Sequence, residues 1–117
     1  MKQMPVSVEA EQALLGSLIV NPDVFDRVGG VITENDFSVD EHKHIYSTLL
    51  KMYGQSKTID VITLVNGLVE QGFRDEAGGI QYISLMVDSV PSVANVKDYA
   101  KIVKDKSLLR KLIGVCD

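Results

Sequence analysis

Apolar residues return at helical intervals along most of the chain, so the hydrophobic pattern predicts helices in nearly every segment. The most regular run covers residues 42–53, where apolar side chains recur at every third or fourth position before Gly54. Shorter runs of the same period cover residues 7–20, 61–69, 80–87 and the part after residue 92. No segment of useful length alternates with the two-residue period of a strand. The predicted fold is all-α: a compact bundle of about six short helices whose last helix is long.

Short polar residues stand where several predicted helices begin. An N-cap side chain accepts a hydrogen bond from a free backbone N–H, and its loss costs about 1 kcal/mol. The sequence places such caps at Ser7, Asp36, Asp60 and Asn95. Ser38 is followed three residues later by Glu41, which has the form of a capping box.

The first predicted helix separates an apolar side from a polar one. Leu14, Leu15 and Leu18 lie on the apolar side, and Glu11 is predicted on the opposite side. Gly16 falls in the middle of this helix, where glycine costs about 1 kcal/mol relative to alanine. A close approach of another helix is the expected compensation.

The last predicted helix carries two apolar stripes on different sides. At about 100° per residue, its first half places Val96, Tyr99, Ala100 and Val103 together. Its second half places a different set on roughly the opposite side: Ile102, Leu109, Leu112, Ile113 and Cys116. We expect the first set to pack on its own domain and the second to contact another subunit or a further segment of a longer protein. The alternative is that the second set folds back onto the bundle.

Composition and charge restrict the possible functions. The chain has 117 residues, a net charge of −4 and one cysteine. It therefore forms no internal disulfide, and with no long apolar run or signal-peptide pattern we expect a cytoplasmic protein with no membrane contact. Residues 97–117 hold six Lys and Arg against three Asp and Glu, whereas the rest is acidic. A solvated helix face explains this basic end, and a small DNA-binding module that uses the basic last helix is the alternative.

No catalytic, metal-binding or cofactor-binding site is predicted. The sequence lacks a phosphate-binding loop and a dinucleotide-binding glycine motif. His42 and His44 are two residues apart and face different sides of a helix, so they do not form a zinc pair. His42 lies on the apolar stripe, where a core histidine bonded to a neighbour is expected. The residues alone predict a small all-helical interaction domain.

Several sequence blocks in a fixed order carry a family resemblance. They are PVSVEAEQALLGSLI at 5–19, DF with H-x-x-I-Y within 36–46, I-D-x-x-T-L at 59–64, GG-x-x-Y at 78–82, and PS-x-A-N with YA-x-IV-x-x-K-x-x-x-R-x-LI within 91–113. This string resembles the N-terminal domain of bacterial DnaB-family replicative helicases. The resemblance implies a hexameric, ATP-driven parent enzyme that moves 5′ to 3′ on single-stranded DNA. It places ATP and Mg²⁺ in a separate motor domain, so we expect this chain to have no catalytic activity.

The resemblance also implies partners and contact residues. Domains of this family pair through a helical hairpin, which implies dimers of the domain and hexamers of the full-length protein. Residues 96–117 would begin that hairpin, and residues 1–6 would form a flexible N-terminus. The resemblance assigns Tyr82 and Ile113 to the docking of a DnaG-type primase. A helicase loader is a further partner that it allows, and single-stranded DNA would be held mainly by the motor domain.

Overall fold

The computed structural model describes residues 4–73 and 79–114, and within these ranges the chain is helical without strands. The α-helices are α1 (Val8–Val20), α2 (Phe25–Val28), α3 (Asp40–Gly54), α4 (Val61–Glu70), α5 (Gly79–Asp88) and α6 (Val96–Leu112). Single 3-10 turns cover Pro22–Val24, Glu34–Asp36 and Val93–Asn95. The all-α fold with a long last helix is thus confirmed.

Helix α1 lies at the centre of the bundle and contacts α3, α5 and α6. Leu14, Leu15 and Leu18 have no exposed surface because partner helices surround α1 on several sides. Helix α4 packs on α3 and α5, and α2 packs on α6. The core is completed by side chains from the other helices and from the segment before α3: Phe25, Phe37, Ile45, Tyr46, Leu49, Leu64, Leu68, Ile83, Met86 and Val96.

The close approach predicted at Gly16 is present between α1 and α5. A Cβ atom at this position would lie 2.5 Å from the backbone oxygen of Met86 and 2.5 Å from Cγ2 of Val90. Only glycine lets the backbones of these two segments come this near without a shift. The unfavourable helix propensity of Gly16 is therefore offset by packing.

Some predicted caps are present and others are wrong. Ser7 accepts a hydrogen bond from the backbone N–H of Ala10, and Asp60 accepts one from Thr63 at 2.8 Å. By contrast, Asn95 makes no side-chain capping bond at the start of α6. The predicted capping box of Ser38 and Glu41 is also wrong, because α3 begins at Asp40 after Val39.

The end of α6 is marked by a glycine. The helix ends at Leu112, Ile113 is its C-cap, and Gly114 has φ +81°. A left-handed residue just beyond the cap is the common way to stop a helix. The helix therefore stops before Gly114. Cys116 lies outside the described residues.

Candidate protein-interaction site

The C-terminal half of α6 exposes a row of apolar side chains, which we call the α6 stripe: Ile102, Leu109, Leu112 and Ile113. Their exposed fractions are 41% for Ile102, 43% for Leu109, 83% for Leu112 and 51% for Ile113. The opposite side of the helix is buried through Val96, Ala100 and Val103. The stripe is thus not part of the core, and the proposal that it folds back onto the bundle is wrong for these residues.

A polar seam fixes the half of α6 that carries the stripe. Ser107 is buried on the inner side of α6, and its hydroxyl donates to Oδ1 of Asp36 at 2.7 Å. The ammonium group of Lys104 lies 3.2 Å from Oδ2 of the same carboxylate. Arg110 donates from Nη2 to the backbone oxygen of Asp36 at 2.8 Å and from Nη1 to that of Pro5 at 3.0 Å. The turn before α3 and the N-terminal segment therefore hold α6 in one orientation.

Asp36 is a buried acceptor and not an N-cap, as its position in the sequence had suggested. It is the third residue of a capping box, in which its Oδ2 accepts the backbone N–H of Thr33 at 2.8 Å. Burial alone would raise the pKa of this carboxyl. The hydrogen bonds from Thr33 and Ser107, with the charge of Lys104, outweigh burial and hold the pKa below its ordinary value. The carboxylate thus remains charged and retains its α6 contacts near neutral pH.

Tyr82 lies in a second polar network, between α1, α3 and α5. Its hydroxyl is 2.6 Å from Nε2 of His42 and accepts a bond from Nε2 of Gln12 at 3.0 Å. The rings of Tyr82 and His42 are stacked, with centroids 5.9 Å apart. The hydroxyl therefore points into the bundle, and only part of the half-buried ring is left for a partner.

Glu11 completes this network, and its predicted position on the solvent side is wrong. Its side chain is buried, its Oε1 lies 2.8 Å from Nδ1 of His42, and its Oε2 accepts both the backbone N–H and the hydroxyl of Ser38. This pattern fits a ring that donates from Nδ1 to Glu11 and accepts from Tyr82 at Nε2. Burial raises the pKa of Glu11, but the bonds from His42 and Ser38 outweigh it and lower the pKa.

The expectation of a bonded core histidine at position 42 is confirmed, because its side chain has no exposed surface and both ring nitrogens have partners. The hydrophobic pattern of the sequence did not single out Leu108, which is 45% exposed on α6. It also missed Ser107, a polar residue in the row of buried positions Val96, Ala100 and Val103. A polar residue on an otherwise apolar face indicates a buried partner.

The described residues contain no group of three or more His, Cys, Asp and Glu side chains placed to hold a metal ion. Of the helices in the described part of the chain, none combines the length and apolar character needed to cross a membrane. What the arrangement offers is an exposed apolar row on a helix fixed by buried polar contacts. Such a surface is suited to protein–protein contact.

Comparison with known families decides the assignment. The family model described as DnaB-like helicase N terminal domain matches residues 3–105 of this chain. The chain belongs to the DnaB-like helicase N-terminal domain family. A structure described as the N-terminal domain of DnaB helicase from Mycobacterium tuberculosis superposes with a TM-score of 0.92 at 32% identity, over 95% of this chain and 80% of that one.

Curated members of the DnaB family show the same similarity. The replicative DNA helicase DnaC of Bacillus subtilis is 37% identical over 93% of this chain, and the replicative DNA helicase DnaB of Pasteurella multocida is 35% identical over 95%. In both cases the chain spans only 24% of the relative's length. A structure described as a DnaB-like replicative helicase and its interactions with primase superposes with a TM-score of 0.80 at 26% identity, over 92% of this chain and 25% of that one. The resemblance found in the sequence is therefore confirmed.

Proposed function

We propose that this DnaB-like N-terminal domain joins the subunits of a replicative DNA helicase and docks primase. The exposed α6 stripe is the observation that supports this proposal most strongly. An apolar row on a well-fixed helix is typical of a surface that another protein covers. The helicase relatives and the structural match to a helicase with its primase interactions agree with the same assignment.

In this proposal the domain acts through position and not through chemistry. Two copies pair through a hairpin that begins in α6, and three pairs form a hexamer of the full-length helicase. The motor domain would bind ATP and Mg²⁺ and drive 5′ to 3′ unwinding of DNA in the cytoplasm. Docked primase would then have a raised effective concentration beside the emerging single strand.

The polar seam gives this role a physical basis. Because Asp36 holds Ser107 and Lys104, the stripe is presented at a fixed angle to the rest of the domain. A preformed surface loses less conformational entropy when a partner binds. The seam thus favours a defined pairing geometry over a flexible tail that would have to be ordered on contact.

The role of the stripe is tested with Leu109→Asp in the full-length helicase, measured by sedimentation velocity. We expect the hexamer to be weakened, because a carboxylate would be buried in an apolar contact. The matched control is Ile62→Asp on α4, which is 72% exposed and lies outside the stripe. A full-strength hexamer with Leu109→Asp, or equal weakening by Ile62→Asp, would contradict the proposal.

The primase contact is tested at Ile113 and Tyr82, the two positions that the family resemblance assigns to it. Ile113→Ala should reduce primase binding to the full-length helicase without altering the circular dichroism of the domain. Tyr82→Phe removes the bonds to Gln12 and His42 but keeps the ring, so primase binding should persist if the ring edge makes the contact. The two proteins are compared by titration with primase. If Ile113→Ala binds primase as tightly as the unaltered protein, Ile113 is not part of the docking surface.

A further inference from the structure

One side of α6 carries a row of basic side chains. We call this row the basic band: Lys97, Lys101, Lys104 and Lys111. Intervals of four, three and seven residues place these lysines on one side of the helix. At 1.5 Å per residue the band is about 21 Å long. Exposed Leu108 lies in the same row. The row is turned by about 120° around the helix from the α6 stripe, so the two are separate surfaces.

The first of two grooves along this band lies between α2 and α6. It has a volume of about 370 Å³ and is lined by Lys97, Lys101 and Lys104 from α6 and by Arg27 from α2. Its apolar lining includes Val31, which is half exposed. One carboxylate, that of Asp105, lines the groove and is paired with Lys101 at 2.8 Å.

The second groove lies at the C-terminal end of the band. It has a volume of about 520 Å³ between α6, the start of α3 and the N-terminal segment. Lys43, Arg110 and Lys111 line it together with exposed apolar residues such as Met4 and Val6. No Asp or Glu is among the described residues that line this groove.

The charges of these grooves are only partly neutralised within the domain. Lys104 is paired with Asp36, Lys101 with Asp105, and the ammonium group of Lys43 lies 3.7 Å from Oδ1 of Asp40. In the described ranges no carboxylate forms an ion pair with Lys97 or Lys111, and Arg110 donates to backbone oxygens alone. Seven of the twelve Lys and Arg residues of the chain lie in the band or line its grooves, although the chain as a whole has a net charge of −4.

Positive charge with an apolar lining favours a protein partner over a nucleic acid. Binding of single strands relies on exposed aromatic rings on which bases stack. The one aromatic residue among the described lining of the two grooves is Phe37, which is buried. Apolar side chains such as Val6, Val31 and Leu108 instead suit the apolar side chains of a peptide.

We propose that the basic band and its two grooves bind an acidic amphipathic segment of a partner protein. In such a segment carboxylates meet the lysines, and apolar side chains enter the grooves. The surface is distinct from the α6 stripe, and this inference does not depend on the role assigned to the stripe.

The test measures binding of a labelled synthetic peptide to the domain by fluorescence anisotropy. The peptide has about fourteen residues, the length of the band along a helix, with Glu and Leu at helical spacing. We expect saturable binding that weakens as NaCl is raised from about 0.05 M to about 0.2 M, because salt screens the charges. A matched peptide with Gln for every Glu should bind about tenfold more weakly.

Variants of the domain locate the site. The pair Lys97→Glu with Lys111→Glu should weaken binding of the Glu peptide about tenfold, and Leu108→Gln should weaken it by a smaller factor. The control pair Lys51→Glu with Lys57→Glu makes the same change of net charge away from the band and should leave binding unchanged. Leu109→Gln, in the α6 stripe, should also leave it unchanged. Circular dichroism of each variant confirms that the helices are intact.

Several outcomes would overturn the inference. Equal binding of the Glu and Gln peptides would remove the charge argument, and equal loss in the control pair would make the effect nonspecific. Tighter binding of an oligo(dT) of similar charge than of the Glu peptide would make the band a nucleic-acid surface. If sedimentation shows that the band variants no longer self-associate, the occupant of the band is a second copy of the chain. Absence of saturable peptide binding would exclude the site.

Discussion

Helices α1 and α6 show two ways in which a helix can lack a simple amphipathic pattern. Nine of the thirteen residues of α1 are buried, because partners surround it on several sides. In the seventeen-residue α6 only four residues are buried, in a single row, and apolar residues occupy exposed positions as well. A helix that is apolar on all sides belongs in a core, whereas a second, exposed apolar row on a helix is suited to a partner outside its own domain.

The largest expected effect separates the two helices by stability. Leu14→Ala in α1 should lower the free energy of unfolding by about 2–5 kcal/mol, because it leaves a cavity in the core. Leu112→Ala in the α6 stripe should change it by less than about 0.5 kcal/mol, since the side chain is 83% exposed. The free energy of unfolding of both variants is measured by urea unfolding. Similar losses of unfolding free energy for the two variants would place the stripe in the core and contradict the difference between α1 and α6.

A smaller effect sharpens the description of α1 as a closely packed helix. Gly16→Ala places a methyl group against the backbone oxygen of Met86 and should cost about 1–3 kcal/mol. Gly54→Ala, at the end of α3, meets no atom within 4 Å and should be neutral or stabilise by up to about 1 kcal/mol. The midpoint of thermal unfolding should therefore fall for Gly16→Ala and should stay the same or rise for Gly54→Ala. An unchanged unfolding midpoint for Gly16→Ala would mean that α1 and α5 can move apart without a cost in stability.

Acid titration should act on both helices through their buried carboxylates. The pKa of Glu11, at α1, and that of Asp36, which holds α6, are both lowered in the folded protein. The unfolded chain therefore binds more protons, and stability rises with pH through this range. The contribution is complete above the unfolded values, near pH 4.5 for Glu and 3.8 for Asp, and is lost as pH falls through the lower folded values.

Variants assign the acid sensitivity to each carboxylate. Glu11→Gln and Asp36→Asn should each reduce the dependence of the unfolding free energy on pH below about 4.5. Asp26→Asn, on α2, is the control, because its carboxylate accepts only an exposed bond from Tyr53. An unchanged acid titration in both core variants would show that neither carboxylate contributes to the slope.

The contrast between helices also explains what sequence could and could not predict. The exposed position of Leu109, Leu112 and Ile113 was predictable, because the rotation of a stripe along a helix depends only on local spacing. The burial of Glu11 was not, since its donors Ser38 and His42 lie far along the chain. Local patterns report helix faces, but buried polar partners depend on tertiary contacts.

The same limit applies to the seam that holds α6. The sequence alone predicts Asp36 as a cap, whereas its bond to Ser107 joins residues that are 71 positions apart. Ser107 could have been noticed as a polar residue among buried apolar positions, but its partner could not have been named. Likewise, the family resemblance named Tyr82, whereas only the structure shows that its hydroxyl points inward.

Hydroxyl-radical footprinting with mass spectrometry tests the central claim, that the α6 stripe is covered by another subunit. Leu109, Leu112 and Ile113 should be oxidised readily in the isolated domain and protected in the assembled full-length helicase. Leu14 should be protected in both, and Ile62 should react in both. Equal oxidation of the stripe in the two samples would contradict the claim that these residues join the subunits.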